Sequence, residues 1–188
     1  MRILIFIFLL QISYSQKLQK NAIVHGKNLA YQITAPSGWL LDIYSGLNDN
    51  LPAVLYKPGS NWKTAKTVMY TNVAYLEESN QSYQTVIESD LKRFREGSAK
   101  ILIEQKEPIE FSEVNKKADV YYFLDSDKLQ FEAVAYLQEA KVVMMFVMAS
   151  KSEDEFYENL DSFREFTLSC IFLTDRVGES EPPVRKKN

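Results

Sequence analysis

One unbroken stretch of apolar sequence constrains the fold of this chain more than any other feature. Residues 142–148 include no polar side chain. Because successive side chains of a strand point to opposite faces of a sheet, such a strand needs apolar cover on both faces. Periodicity alone does not separate it from a buried helix, but its short length and β-branched residues favour a strand. The run therefore predicts the central strand of a sheet that is covered on each side.

The rest of the chain supplies strands and helices to surround that centre. Ser82 is a candidate N-cap for a helix that ends near Gly97. Ser152 and Glu155 form a candidate capping box, and the apolar spacing after it predicts one helix through Cys170. Strands are predicted at 29–35, 39–44, 53–56, 67–76, 100–106, 118–125, 129–138 and 142–149. This order predicts an α+β fold with a central antiparallel sheet flanked by helices, an α/β/α sandwich.

The N-terminus has the pattern of an export signal. Arg2 precedes the apolar run 3–10, and Ser13 and Ser15 occupy the −3 and −1 positions of a cleavage site before Gln16. A membrane anchor is the alternative, but this run is much shorter than the roughly 20 apolar residues of a membrane-spanning helix. We therefore predict a signal peptide at 1–15 and an exported protein, periplasmic or secreted, with no stable membrane span after cleavage.

The mature chain is expected to hold one domain. Residues 16–28 are polar and form either a leader or a short edge strand. Residues 29–174 carry the strand and helix patterns, and their length suits a single domain. Residues 175–188 are charged, contain Pro182 and Pro183 and offer almost nothing apolar to pack, so they predict a disordered tail.

Composition and motifs exclude several classes of function. The formal net charge is −3 and the basic residues are scattered, which argues against a nucleic-acid partner. His25 is the only histidine, and Cys170, the only cysteine, lies on an apolar helix stripe where a thiol is inert. The acidic segments 48–50 and 125–127 match ordinary turns better than calcium loops. We predict no catalytic residue, no metal and no cofactor, and therefore not an enzyme.

Two segments resemble the PsbP-like superfamily: residues 33–39, which end in Pro36, Gly38 and Trp39, and the loop 56–62, which ends in Trp62. The resemblance covers roughly residues 29–173. It implies an antiparallel sheet flanked by helices, in a superfamily that includes the photosystem II extrinsic protein, a Ran-binding nuclear transport factor and many exported bacterial proteins. It implies a binding module more than an enzyme. No transit-peptide pattern accompanies it, so the photosystem role is not transferred.

Aromatic residues gather in and beside the two long early loops: Trp39, Tyr44, Tyr56, Trp62 and Tyr70. Trp and Tyr offer a broad contact area with a polar tip, so these residues predict a binding surface. The alternative is that they pack one end of the sheet.

The expected function is therefore a non-catalytic binding module that contacts another protein of the cell envelope through the loops between residues 39 and 62. The alternative is a carrier of a small apolar ligand or lipid, held between sheet and helix beside Met144, Met145 and Met148. A carrier requires a closed cavity of roughly 300 Å³ or more.

Overall fold

The computed structural model describes residues 20–76 and 81–177. The predicted signal peptide at 1–15 and the tail beyond residue 177 lie outside these ranges. The elements in chain order are β1 (Asn21–His25), β2 (Ala30–Thr34), β3 (Leu40–Asp42), a 3₁₀ helix (Leu47–Asp49), β4 (Val54–Tyr56), β5 (Thr67–Tyr75), α1 (Tyr83–Gly97), β6 (Leu102–Glu110), β7 (Lys117–Asp125), β8 (Gln130–Glu139), β9 (Val142–Ser150), α2 (Glu153–Glu158), α3 (Leu160–Leu168) and β10 (Ile171–Thr174).

The strands form two antiparallel sheets. The large sheet has the order β3-β4-β5-β9-β8-β7-β6, and the small sheet has the order β1-β2-β10. The apolar strand β9 lies between β5 and β8, so the prediction of a central strand is confirmed. Its side chains alternate between two cores, with Met144 and Met148 on one face and Val143, Met145 and Val147 on the other.

Helix α1 covers one face of the large sheet. It begins where predicted, because the Ser82 hydroxyl accepts a hydrogen bond from the Thr85 backbone and the Thr85 side chain accepts one from the Ser82 backbone. Ile87 and Phe94 of the helix are buried against the sheet, and the Phe94 ring stacks on Phe123 at 3.8 Å between centroids. This helix is the predicted cover for that face.

The opposite face has a different cover from the one predicted. Helices α2 and α3 pack there, with Phe166 edge-to-face against Phe146 at 5.4 Å. The small sheet packs on the same face, and Tyr31 of β2 hydrogen-bonds Thr71 of β5 at 2.6 Å in the buried interior. The α/β/α description is therefore correct only in part, since a second sheet supplies much of this layer. Edge strand β1 occupies part of the polar segment 16–28.

The predicted C-terminal helix is also divided. Helix α2 ends at Glu158 and α3 starts at Leu160, with the Asn159 amide donating to the Glu155 carbonyl between them. Ser152 caps α2 as predicted, but the Glu155 carboxylate does not return to it. It instead accepts from Thr67 and pairs with Lys66 at 3.3 Å, which ties the helix to β5. The prediction of one helix through Cys170 was also wrong at its C-terminal end. Helix α3 ends at Leu168, because the chain turns there and enters β10 at Ile171.

None of the helices within the described ranges combines the length and the apolar character needed to cross a membrane.

Candidate functional site

Two of the five predicted aromatic residues are part of the interior. Trp39 is buried in the core beneath the small sheet, with the Lys57 ammonium 5.7 Å from its ring centre. Tyr56 is buried on the other side of the large sheet, in a cluster with Val54 and Ala65. Both residues therefore have the packing role that was the alternative interpretation of the aromatic cluster.

Tyr56 also closes the loop that follows β3. Its hydroxyl donates to Asp42 Oδ2 at 2.7 Å, and Asp42 also accepts from Ser45 and from the Tyr44 backbone. Burial acts to raise the pKa of Asp42, but these hydrogen bonds outweigh it and lower the pKa. Burial, together with the contact to Asp42, raises the pKa of Tyr56 to about 12. This cluster of hydrogen bonds stabilises the loop.

Tyr44 stands apart from the other four residues. Its side chain is 69% exposed, whereas Trp62 and Tyr70 are only partly exposed. The structure therefore brings Tyr56, Trp62 and Tyr70 into one cluster, and it places Trp39 on the opposite face of the sheet.

Trp62 and Tyr70 lie on the face of the large sheet that carries α1. Their rings meet edge-to-face at 5.8 Å, and the Trp62 indole N–H donates to Asp49 Oδ2 at 2.8 Å. Between Trp62 and α1 the floor of the sheet remains partly exposed, at Val68, Tyr70 and Ala149. We call this strip, with Glu132 at its α1 side, the helix-side strip.

Glu132 is the charged residue of this strip. It lies opposite Ala149 in the strand register, and Ala149 lies opposite Val68. Its carboxylate accepts a 2.5 Å hydrogen bond from Gln130. Burial raises the pKa of Glu132, while Gln130 and the charge of Arg93 act in the opposite direction. The carboxylate is therefore held in surroundings that disfavour its charge.

Arg93, whose positive charge acts on Glu132, forms its ion pair with Asp90. The Arg93 guanidinium pairs with Asp90 Oδ1 through Nε at 3.2 Å and Nη2 at 3.1 Å. The other Asp90 oxygen accepts from the Tyr136 hydroxyl at 2.9 Å. Within the described part of the chain, Glu132 has no ion-pair partner of its own.

A second exposed surface lies on the outside of the small sheet. Ile23 of β1 and Ile171 of β10 flank Gln32 of β2, and they are 52% and 53% exposed. An open cleft of about 390 Å³ adjoins Ile23, and its lining residues are uncharged and include Ile43. The outward side chains are Asn21, Ile23, His25, Gln32, Thr34, Ile171 and Leu173. We call this surface the uncharged face, because it has no Asp, Glu, Lys or Arg in a chain that is 25% charged.

Sequence analysis predicted Trp62 and Tyr70 as binding residues, but it did not identify the uncharged face. The uncharged face includes β10, and no strand was predicted at residues 171–174. The apolar spacing had predicted a helix through Cys170, directly before this segment. The run of Ile171, Phe172 and Leu173 before Thr174 has the β propensity that could have indicated a strand. Glu132 gave no signal, because a single acidic residue in an alternating strand is typical of a solvated position.

The single cysteine and the single histidine of the sequence lie in different surroundings. Cys170 is buried, burial raises the pKa of its thiol to about 12, and its sulfur contacts Met144 at 3.9 Å. His25 is exposed at the end of β1. In the acidic turn 125–127, Asp127 pairs with Lys100, as expected of a hairpin turn at the surface.

No protein-family model matches the sequence, and a search of curated proteins gives no match. Among solved structures, the chain is similar to the solution structure of cyanobacterial PsbP (CyanoP) from Synechocystis sp. PCC 6803, with a TM-score of 0.54 and 12% identity over 85% of this chain and 96% of that one. It is also similar to LpqN, which is involved in cell envelope biogenesis of Mycobacterium tuberculosis, with a TM-score of 0.51 and 11% identity over 83% and 91% of the two chains. Identity this low establishes the fold alone, and the chain has a PsbP-like fold.

Proposed function

We propose that this chain is a non-catalytic interaction module of the cell envelope, and that it binds a partner protein through the uncharged face. The observation that carries the proposal is the composition of that face. Interfaces are depleted in charged residues at their centre, and an exposed apolar patch marks a site of contact. Ile23, Ile171 and Leu173 leave such a patch open, and the cleft beside Ile43 offers a recess for a partner side chain.

Two further observations support the envelope as the location. The sequence of residues 1–15 has the pattern of an export signal. LpqN, which shares the fold, is described as involved in cell envelope biogenesis. The partner that fits is a protein with an uncharged, apolar surface, because a charged one would lose hydration against this face without gaining a counter-charge.

The carrier alternative has weaker support. Met144 and Met148, which suggested it, are fully buried and contribute to the core. The cleft between the two sheets, lined by Val24, Leu29 and Tyr75 among others, measures about 140 Å³ and is open to solvent. That is less than half of the roughly 300 Å³ that a small-ligand site occupies. Native mass spectrometry of the exported protein would reveal a retained lipid if this alternative were correct.

Site-specific photo-crosslinking tests the proposal directly. p-Benzoylphenylalanine is placed at Ile23, at Ile171 and, as a matched control, at Leu102, an apolar residue of edge strand β6 with the same exposure. The protein is expressed in its source cell and irradiated in the intact envelope. A shared crosslinked protein from positions 23 and 171, and not from 102, supports the proposal. Equal products from all three positions, or none from 23 and 171, would contradict it.

A further inference from the structure

We propose that β1 pairs with the β1 of a second copy of this chain, antiparallel and centred on Ile23. The two three-stranded small sheets then become one continuous sheet. This contact uses the backbone at the free edge of β1, whereas the function proposed above uses the side chains of the uncharged face. The pairing of two copies therefore does not depend on that function.

The free edge of β1 carries backbone groups that point away from the protein. The Ala35 N–H donates to the Lys20 carbonyl and the Gly26 N–H donates to the Leu29 carbonyl, each at 2.8 Å, at the two ends of the β1–β2 pair. Bonded and non-bonded pairs alternate along antiparallel strands, and the register between these ends is regular. Three residues of β1 therefore direct their N–H and C=O groups to the free edge: Asn21, Ile23 and His25. Within residues 20–76 and 81–177 these groups have no hydrogen-bond partner.

Strand β1 lacks the features that block the other sheet edges. In the large sheet, edge strand β3 has three residues, and edge strand β6 has Lys106, Pro108 and a register shift before Ile109. At the other edge of the small sheet, β10 has four residues and a register shift. Short strands, charges, proline and bulges are the usual protection against strand addition. Strand β1 has five residues, a regular register and no Asp, Glu, Lys, Arg or Pro.

An open cleft reaches this edge. The cleft of about 390 Å³ is lined by Asn21, Ile23 and Gln32 of the outer face and also by Ala22 and Ile43. Ala22 and Ile43 belong to the core on the inner side of the small sheet. A surface cleft that touches both sides of the sheet beside β1 passes the edge of that strand. The edge is therefore accessible from solvent.

The sequence of β1 is complementary to a second copy of itself. In antiparallel pairing centred on Ile23, the two Ile23 residues lie opposite each other, and Asn21 lies opposite His25. Each of these pairs exchanges both backbone hydrogen bonds, because these residues carry the outward groups. Lys20 falls opposite Gly26, so no lysine of one copy faces a lysine of the other. This self-complementarity is what a twofold contact requires.

Cysteine crosslinking of the purified exported protein tests the pairing. Ile23→Cys places two thiols opposite each other at the ~5.5 Å Cα separation of a hydrogen-bonded pair, which a disulfide can span. The native Cys170 is buried and does not compete. We expect a covalent dimer under mild oxidation. The matched control is Ile171→Cys, because Ile171 has the same exposure on the same face but lies at the other edge of the small sheet. It should remain monomeric, and equal crosslinking of the two variants would overturn the proposal.

Sedimentation equilibrium separates backbone pairing from side-chain contact. Only five residues of each copy pair, so the contact is small and we expect a monomer–dimer equilibrium that depends on concentration. Ile23→Pro removes an outward N–H but no hydrogen bond to β2, so it should keep the fold and weaken the dimer by about tenfold or more. Ile23→Ala keeps this N–H and should weaken the dimer less. Circular dichroism is the folding control.

Two results of sedimentation would overturn the pairing of copies. One is a wild-type protein that stays monomeric at every concentration. The other is a folded Ile23→Pro variant that dimerises as strongly as wild type. If the wild type stays monomeric but Ile23→Pro abolishes the envelope crosslink from position 171, a strand of another protein occupies this edge instead. The proposed function would then stand while the second copy is excluded.

Discussion

The two faces of the small sheet carry similar apolar residues, but only one face is packed. On the inner face Val24, Tyr31 and Ile33 are buried against the large sheet. On the outer face Ile23 and Ile171 are about half exposed. The same residue type therefore stabilises the fold on one side and contributes little on the other. The exposed isoleucines contribute little to folding, so their presence needs another explanation. Contact with a partner protein is one such explanation.

The first prediction compares one isoleucine on each face. Ile33→Ala should lower the free energy of unfolding by about 3 kcal/mol, because it opens a cavity at a fully buried site. Ile23→Ala should change it by less than about 0.5 kcal/mol. Urea denaturation of the two variants measures the difference. If both variants lose the same stability, the outer face is packed and the comparison fails.

The second prediction concerns the hydrogen bond that joins the inner face to the large sheet. Tyr31→Phe removes the partner of the buried Thr71 hydroxyl and should cost about 1.5 kcal/mol. Tyr44→Phe removes a hydroxyl from an exposed side chain and should leave the stability unchanged. Thermal unfolding of the two variants provides the measurement. Equal melting temperatures for Tyr31→Phe and wild type would show that the Thr71 hydroxyl finds another partner.

The third prediction is that charge on the outer face abolishes partner binding without unfolding the protein. The double variant Ile23→Lys, Ile171→Lys should reduce capture of the envelope partner by about tenfold or more, because two buried charges would be introduced at the contact. Leu102→Lys on edge strand β6 should not change capture. Quantitative mass spectrometry of captured protein, with circular dichroism as the folding control, decides the result. Unchanged capture by the double variant would contradict the proposed surface.

The fourth prediction extends the comparison to the α1 face of the large sheet. There the charged residue Glu132 is partly covered, whereas on the outer face of the small sheet apolar residues are exposed. Because burial raises the pKa of Glu132, the native state keeps a proton there to higher pH than the unfolded chain does. Wild-type stability therefore falls as the pH rises through the native pKa. Glu132→Gln should therefore stabilise the protein at pH 7, and this gain should disappear below about pH 4.

Denaturation curves of wild type and Glu132→Gln at the two pH values test the sign. Glu104→Gln is the control, because its carboxylate is paired with Lys106 near the surface and should give little change. A destabilised Glu132→Gln at pH 7 would mean that the carboxylate is stabilised in the native state.

Much of the large sheet could be predicted because its signals are local. The unbroken apolar run placed β9 at the centre, and the Ser82 cap placed the start of α1. The second sheet could not be predicted in the same way. Alternation in residues 29–35 indicates a strand, but it does not indicate which strand pairs with it. Pairing of β2 with β10 joins residues about 140 positions apart, and no local pattern encodes that contact.

The candidate site residues were predictable from the sequence only where the residue type itself indicates a binding role. Trp62 and Tyr70 were identified from their residue type, and Trp39 was identified for the same reason although it is buried. Glu132 acquires its character from Arg93 and Asp90 of α1, which become its neighbours only in the folded chain. The uncharged face depends on the absence of charge from three strands that are separate in sequence.

The pairing of β10 with β2 also sets the order in which this protein can fold. Strand β2 is near the start of the chain and its partner β10 is near the end, so the small sheet cannot close until almost the whole polypeptide is present. If the chain is exported in the N-to-C direction, β1 and β2 emerge first. The edge of β2 that pairs with β10 then stays unpaired until β10 has also emerged. Contacts of such long sequence separation fold slowly, and unpaired edges aggregate. A chain that stops before Ile171 would remain in that vulnerable state.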